Sequence, residues 1–169
     1  MVATRIMEGK YKKFDSKLHD RNDRLAKRIC INFLPRILRR INSQKYEAVR
    51  IEVNEDQYGP DLKCLIGNKL IAYFEPEIKY NWPEGQDFPF EDLQIPERKE
   101  KFTKLGVPIS FVVLSPCLTR VAFVKRQDLL ESRKEEIPNK HIKRGELFFK
   151  IPKKKVKFFS LTEFANNGK

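Results

Sequence analysis

Apolar residues recur every three or four positions from Ser16 to Ile41, then at every second position or in short runs. That change of period predicts one long helix followed by strands. Leu25, Ile29, Phe33, Ile37 and Ile41 recur at i+4, and Leu18, Ala26, Cys30, Leu34 and Leu38 fill the adjacent stripe. Together they form one broad apolar face. Pro35 falls inside this run. A kink or two abutting helices is expected there, because proline removes a backbone donor. The other face carries Lys27, Arg28, Arg36, Arg39 and Arg40. Residues 1–14 are polar and basic, and are expected to be loosely held.

Tyr46 to Val53 alternates as a strand, with Val49, Ile51 and Val53 on one side. Gln57-Tyr58-Gly59-Pro60 is turn chemistry. Leu62 to Ile66 and Leu70 to Lys79 are strands across Gly67-Asn68, a tight hairpin signal. Pro76 marks an edge or a bulge in the second of them. Residues 81–92 are expected to form a loop. Pro96 is suited to open a helix through Leu105, closed by Gly106. Ile109 to Leu114 is a central strand, Thr119 to Lys125 another, and Gln127 to Ser132 a helical turn. Gly145 to Ile151 and Val156 to Leu161 are expected to form a final hairpin. The order is that of an α/β fold with a single mixed central sheet flanked by helices.

The chain has 169 residues, 13 of them Phe, and is 40% hydrophobic, which suits one packed domain rather than a disordered chain. Its 35 Lys+Arg outweigh 23 Asp+Glu by 12 charges. Such an excess favours a polyanionic partner, nucleic acid before membrane. A basic surface kept for solubility is the plainer alternative. Cys30, Cys64 and Cys117 are odd in number and widely spaced, which argues against a zinc site or a disulfide framework. No signal-like or membrane-length apolar run is present, so a cytoplasmic protein without membrane association is expected.

The chemistry centres on Pro60-Asp61 and Glu77-Ile78-Lys79, on either side of the hairpin. Strand parity puts Glu75, Glu77 and Lys79 on one face. Counting from the turn brings Asp61 and Glu77 to the same open end, within reach of one metal. Asp61, Glu77 and the Ile78 carbonyl are candidate ligands for Mg²⁺ or Mn²⁺. Lys79 is suited to stabilise charge on a phosphoryl group. The plainer readings are a turn aspartate and a surface ion pair.

These residues resemble the signature of the PD-(D/E)XK nuclease superfamily, which includes restriction enzymes, junction resolvases, and phage and homing-type nucleases. The resemblance implies a restriction-endonuclease-like αβββαβ core over about residues 16–125, with a basic C-terminal extension from about residue 140 to 169. The implied activity is Mg²⁺-dependent hydrolysis of DNA by a cytoplasmic enzyme, dimeric or structure-directed, as a junction resolvase or a phage nuclease would be. Asp61, Glu77 and Lys79 carry over as catalytic residues. Glu75, Arg98 and Lys99 carry over as accessories, with an acid of the first helix, Asp20 or Asp23. A non-catalytic nucleic-acid-binding protein on the same fold is the alternative.

Backbone contacts are assigned to Arg36, Arg39 and Arg40 on the helix, and to Lys153, Lys154 and Lys155 in the tail. Tyr80 or Trp82 is placed to stack on an unpaired base or to anchor a loop. His141 has no acid beside it in sequence. Ser115 and Cys117 lack the elbow and histidine of a nucleophile site.

Overall fold

The computed structural model describes residues 16–83, 85–138 and 145–165. Helix α1 (Ser16–Ile41) precedes an antiparallel meander of β1 (Val49–Val53), β2 (Leu62–Ile66) and β3 (Lys69–Ile78). Strand β4 (Asp92–Pro96) and a 3-10 helix (Glu97–Lys104) lead to β5 (Ile109–Leu114), which pairs parallel with β3. Then come β6 (Arg120–Lys125), α2 (Arg126–Leu130), β7 (Arg133–Ile137), β8 (Glu146–Pro152), β9 (Lys157–Ser160) and α3 (Thr162–Ala165). The main sheet is mixed and six-stranded, in the order β1-β2-β3-β5-β6-β9. A smaller antiparallel sheet has the order β4-β8-β7. The α/β class with a mixed central sheet is as the sequence leads one to expect.

Two cores form on opposite sides of the main sheet. Ala26, Cys30, Leu34 and Ile37 of α1 pack on Val49, Ile51, Leu62, Cys64, Phe74, Val112 and Leu114. On the other side, Leu93, Ile95, Phe149 and Ile151 of the smaller sheet meet Ile109, Phe111 and Val113, with Trp82, Phe88 and Phe102. Strand β5 thus feeds alternate residues to both cores, which explains its unbroken apolar run. Each Leu or Ile buried at this level contributes roughly 1.5–3 kcal/mol.

Several expectations are corrected. Helix α1 runs through Pro35 as one element rather than as two abutting helices, with Leu34 and Ile37 on either side of it buried against the sheet. The first strand begins at Val49, not Tyr46. The segment after Pro96 is 3-10 rather than α-helical. Strands β4 and β7 were not anticipated, the latter because Arg133-Lys134-Glu135-Glu136 is almost wholly polar and exposed. The expected C-terminal hairpin does not form: β8 pairs with β4 and β7, whereas β9 pairs with β6. Residues 1–15, His141 and the rest of the basic stretch 140–144 lie outside the described residues. Among the described residues no helix is long and apolar enough to cross a membrane.

Candidate active site at the open end of the meander

A β-bulge decides which residues meet. Between β2 and β3 the register steps from Cys64↔Ala72 to Leu65↔Leu70, so Ile71 is an extra residue on β3. An unbroken ladder from the Gly67-Asn68 turn would set Asp61 opposite Phe74. The bulge advances the pairing by one, and a one-residue slip exchanges the faces of a strand. Leu62 pairs with Phe74, and the next step sets Asp61 beside Glu75. The Asp61 amide donates to Glu75 Oε2 at 3.0 Å. The acid that Asp61 touches is therefore Glu75, with Glu77 one position further along the same face.

Pro76 fits because of where its nitrogen points. The Tyr73 and Lys79 amides donate towards β5, at Pro108 and Leu114. Amides of the opposite parity, Phe74 and Pro76, therefore face the β2 side. The β2 ladder ends at Leu62↔Phe74, so the missing N–H of Pro76 interrupts nothing.

The turn before β2 is fixed by its own side chains. Asn54 Nδ2 donates to the Pro60 carbonyl at 2.8 Å, and the Asn54 amide donates to the Asp61 carbonyl at 2.8 Å. Asp56 accepts from the Tyr58 amide at 3.0 Å. Pro60 is buried beneath this loop.

Acids and lysines alternate through the site. Lys27 of α1 bridges Asp23 at 2.8 Å and Asp61 at 3.1 Å. Lys99 of the 3-10 helix lies between Glu77 Oε2 at 3.0 Å and Glu75 Oε1 at 3.4 Å. Three residues per turn bring Lys99 in line with the buried Phe102, and the Lys99 side chain is 12% exposed. Lys79 donates to the Gln94 carbonyl at 2.7 Å.

The electrostatics follow from burial. Glu75 is 8% exposed, and desolvation pushes its carboxyl up to about 7 against the attraction of Lys99. Burial also raises Asp61, opposed by its hydrogen bond from Lys27. Glu77 is desolvated too, but the charges of Lys99 and Lys79 outweigh this and hold its carboxyl below the usual range. Burial depresses Lys79, and the like charges of Lys99 and Lys150 add to the effect. Burial opposes the charge of Lys99, yet Glu77 and Glu75 raise it overall.

The structure thus brings together Asp61, Glu75, Glu77, Lys79 and Lys99, with Asp23 attached through Lys27. Arg98 turns to Glu146. Arg39 donates to the Glu47 carbonyl, Arg40 pairs with Glu163, and Arg36 lies exposed on the same helix. In the tail, Lys153 donates to the Phe88 carbonyl, Lys155 pairs with Glu131, and Lys154 is exposed. Lys27 went unrecognised because it reads as one of the basic helix face. Its i,i+4 spacing from Asp23 was the available signal.

Asp61, Glu75 and Glu77 supply the hard oxygen donors that Mg²⁺ prefers. Among the described residues no group of three or more His, Cys, Asp or Glu is placed to hold a metal by itself. The Asp61–Glu75 contact runs through the Asp61 backbone amide, while the Asp61 carboxylate itself is held by Lys27. The chain matches no family model, no curated protein and no solved structure.

Proposed function

We propose that this chain is a metal-dependent nuclease that hydrolyses phosphodiester bonds in DNA. The observation that carries the reading is the register that sets Asp61 beside Glu75 at the end of β2 and β3, where the Asp61 amide donates to the Glu75 carboxylate, with Lys99 delivered beside it from a third element. The order of helix, meander, helical segment and parallel strand supports the likeness to PD-(D/E)XK nucleases. In this form of the motif the acid facing Asp61 is Glu75, the residue two positions on is Glu77, and Lys99 supplies the lysine.

Asp61 and Glu75 would hold Mg²⁺, which when bound lowers the pKa of a coordinated water and neutralises phosphate charge. Glu77 holds Lys99 in place, and the Lys99 ammonium stabilises the added charge on phosphorus. Lys79, anchored on Gln94, presents a second cation to the neighbouring phosphate. Asp23 and Lys27 orient Asp61 from the helix side.

The test is cleavage of plasmid and branched DNA with Mg²⁺ or Mn²⁺. Cutting is expected to require metal, and to fall roughly a hundredfold or more in Asp61→Ala and Lys99→Ala. Equal cleavage by wild type and Asp61→Ala would remove the assignment. One observation favours a second reading, a non-catalytic nucleic-acid-binding protein: the lysine bridges already balance the carboxylates. Salt-sensitive binding without cleavage in either metal would select it.

A further inference from the structure

Two clefts meet beside the carboxylates. One, of about 310 Å³, runs from Glu77 past Lys79 to Tyr80, Asn81, Pro96 and Phe148. The other, of about 260 Å³, is also lined by Lys79 and Asn81 and continues to Phe90, Gln94 and Lys150, with Glu91 and Asp92 on its wall, the latter paired with Arg133. The two adjoin at Lys79 and Asn81, and the first reaches Glu77 of the carboxylate site, so we treat them as two arms of one groove. Its two arms each carry an aromatic ring that the fold leaves uncovered: Tyr80 is 62% exposed and Phe90 40%. Trp82 is 1% exposed and packs edge-on against Phe88, so it is core. Phe88 in turn backs Phe90 at 5.4 Å between ring centres, which gives that ring a firm footing.

We propose that this groove binds an unpaired nucleic-acid strand, with bases stacked on Tyr80 and Phe90 and phosphates held by Lys79 and Lys150. Exposed rings offer a π-face to any base, and lysines lining the same clefts suit the phosphates of a strand. Paired bases hide their faces within the duplex stack, so neither ring can engage them. The net charge of +12 favours the same partner. Asn81, which lines both clefts, offers both donor and acceptor to a base edge. The inference deepens the nuclease reading and rests on it for placing the strand next to Glu77. It names the substrate as single-stranded, or as the unpaired part of a branched molecule.

The experiment is fluorescence anisotropy of the full chain in EDTA at low salt, with labelled oligo(dT), oligo(rU) and a blunt duplex of equal length. Unpaired strands are expected to bind at least tenfold more tightly than duplex. Stronger binding of oligo(dT) or of oligo(rU) identifies the strand as DNA or RNA. Tyr80→Ala and Phe90→Ala are each expected to weaken strand binding roughly five- to a hundredfold, leaving duplex binding unchanged. Tyr80→Phe, which keeps the ring, is expected to bind like wild type. Duplex binding as tight as strand binding, or alanine variants that bind strands like wild type, would overturn the proposal. Because EDTA suppresses cutting, strand binding without metal-dependent cleavage would sink the nuclease and leave the groove. Duplex cleavage unaffected by Tyr80→Ala, with no strand preference, would sink the groove and leave the nuclease.

Discussion

Glu75 is a carboxyl placed where water would ordinarily stabilise it and the fold does not. It titrates near 7 in the folded chain against 4.5 for a free glutamate. The native state therefore holds the proton more tightly than the unfolded state across that interval, so stability falls as pH rises from about 4.5 to about 7. The loss from this group is on the order of 3 kcal/mol. Glu75→Gln is expected to remove that slope, so that denaturation curves of variant and wild type converge near pH 5 and separate near pH 8. Parallel stabilities at both pH values would count against the assignment. Lys99 is the complementary case. Lys99→Ala removes the ion-pair partner that the neighbouring Glu75 and Glu77 share, at a cost of roughly 3–5 kcal/mol near neutral pH. Acidification is expected to recover part of it, as measured by urea unfolding at pH 5 and pH 8.

Strands and turns decide whether those residues meet. Asn54 clamps Pro60 and Asp61 through two hydrogen bonds, of which Asn54→Ala removes the side-chain one. A stability loss of about 1 kcal/mol is expected in thermal melts. Metal-dependent cleavage is expected to fall further than stability does, because the Asp61 carboxylate loses its bearing. A variant that melts early but cuts normally would show that the clamp serves the fold alone. The hairpin, its turn and the common face of Glu75, Glu77 and Lys79 were legible from alternation and from Gly67-Asn68. The bulge was not. Leu70-Ile71-Ala72-Tyr73-Phe74 is apolar throughout, so no change of parity marks the extra residue, and an unbroken count sets Phe74 rather than Glu75 opposite Asp61. Strand β7 was hidden for the opposite reason: its polar residues pair along a sheet edge and bury little. The burial of Lys99 depended on the segment winding with three residues per turn, which the pattern Glu97-Arg98-Lys99-Glu100-Lys101 does not distinguish from an α-helix.

Across the whole molecule, the excess of 12 positive charges sets how binding responds to salt. A strand whose phosphates meet Lys79, Lys150 and Lys99 is expected to give a slope of about −2 in a plot of log affinity against log salt. Lys150→Gln is expected to reduce that slope by about 0.7, and an unchanged slope would place Lys150 off the strand's path. The lysine-and-acid series runs from α1, which covers one face of the main sheet, round the strand ends to the 3-10 helix on the other face. Each layer has its own core, so each is suited to open as a separate unit under native conditions. The ion pairs are the rivets along the seam between them. A strand seated in the groove, whose walls include β4 and β8, would slow amide exchange in the smaller sheet, so its arrival would be recorded in backbone hydrogens as well as in the dye.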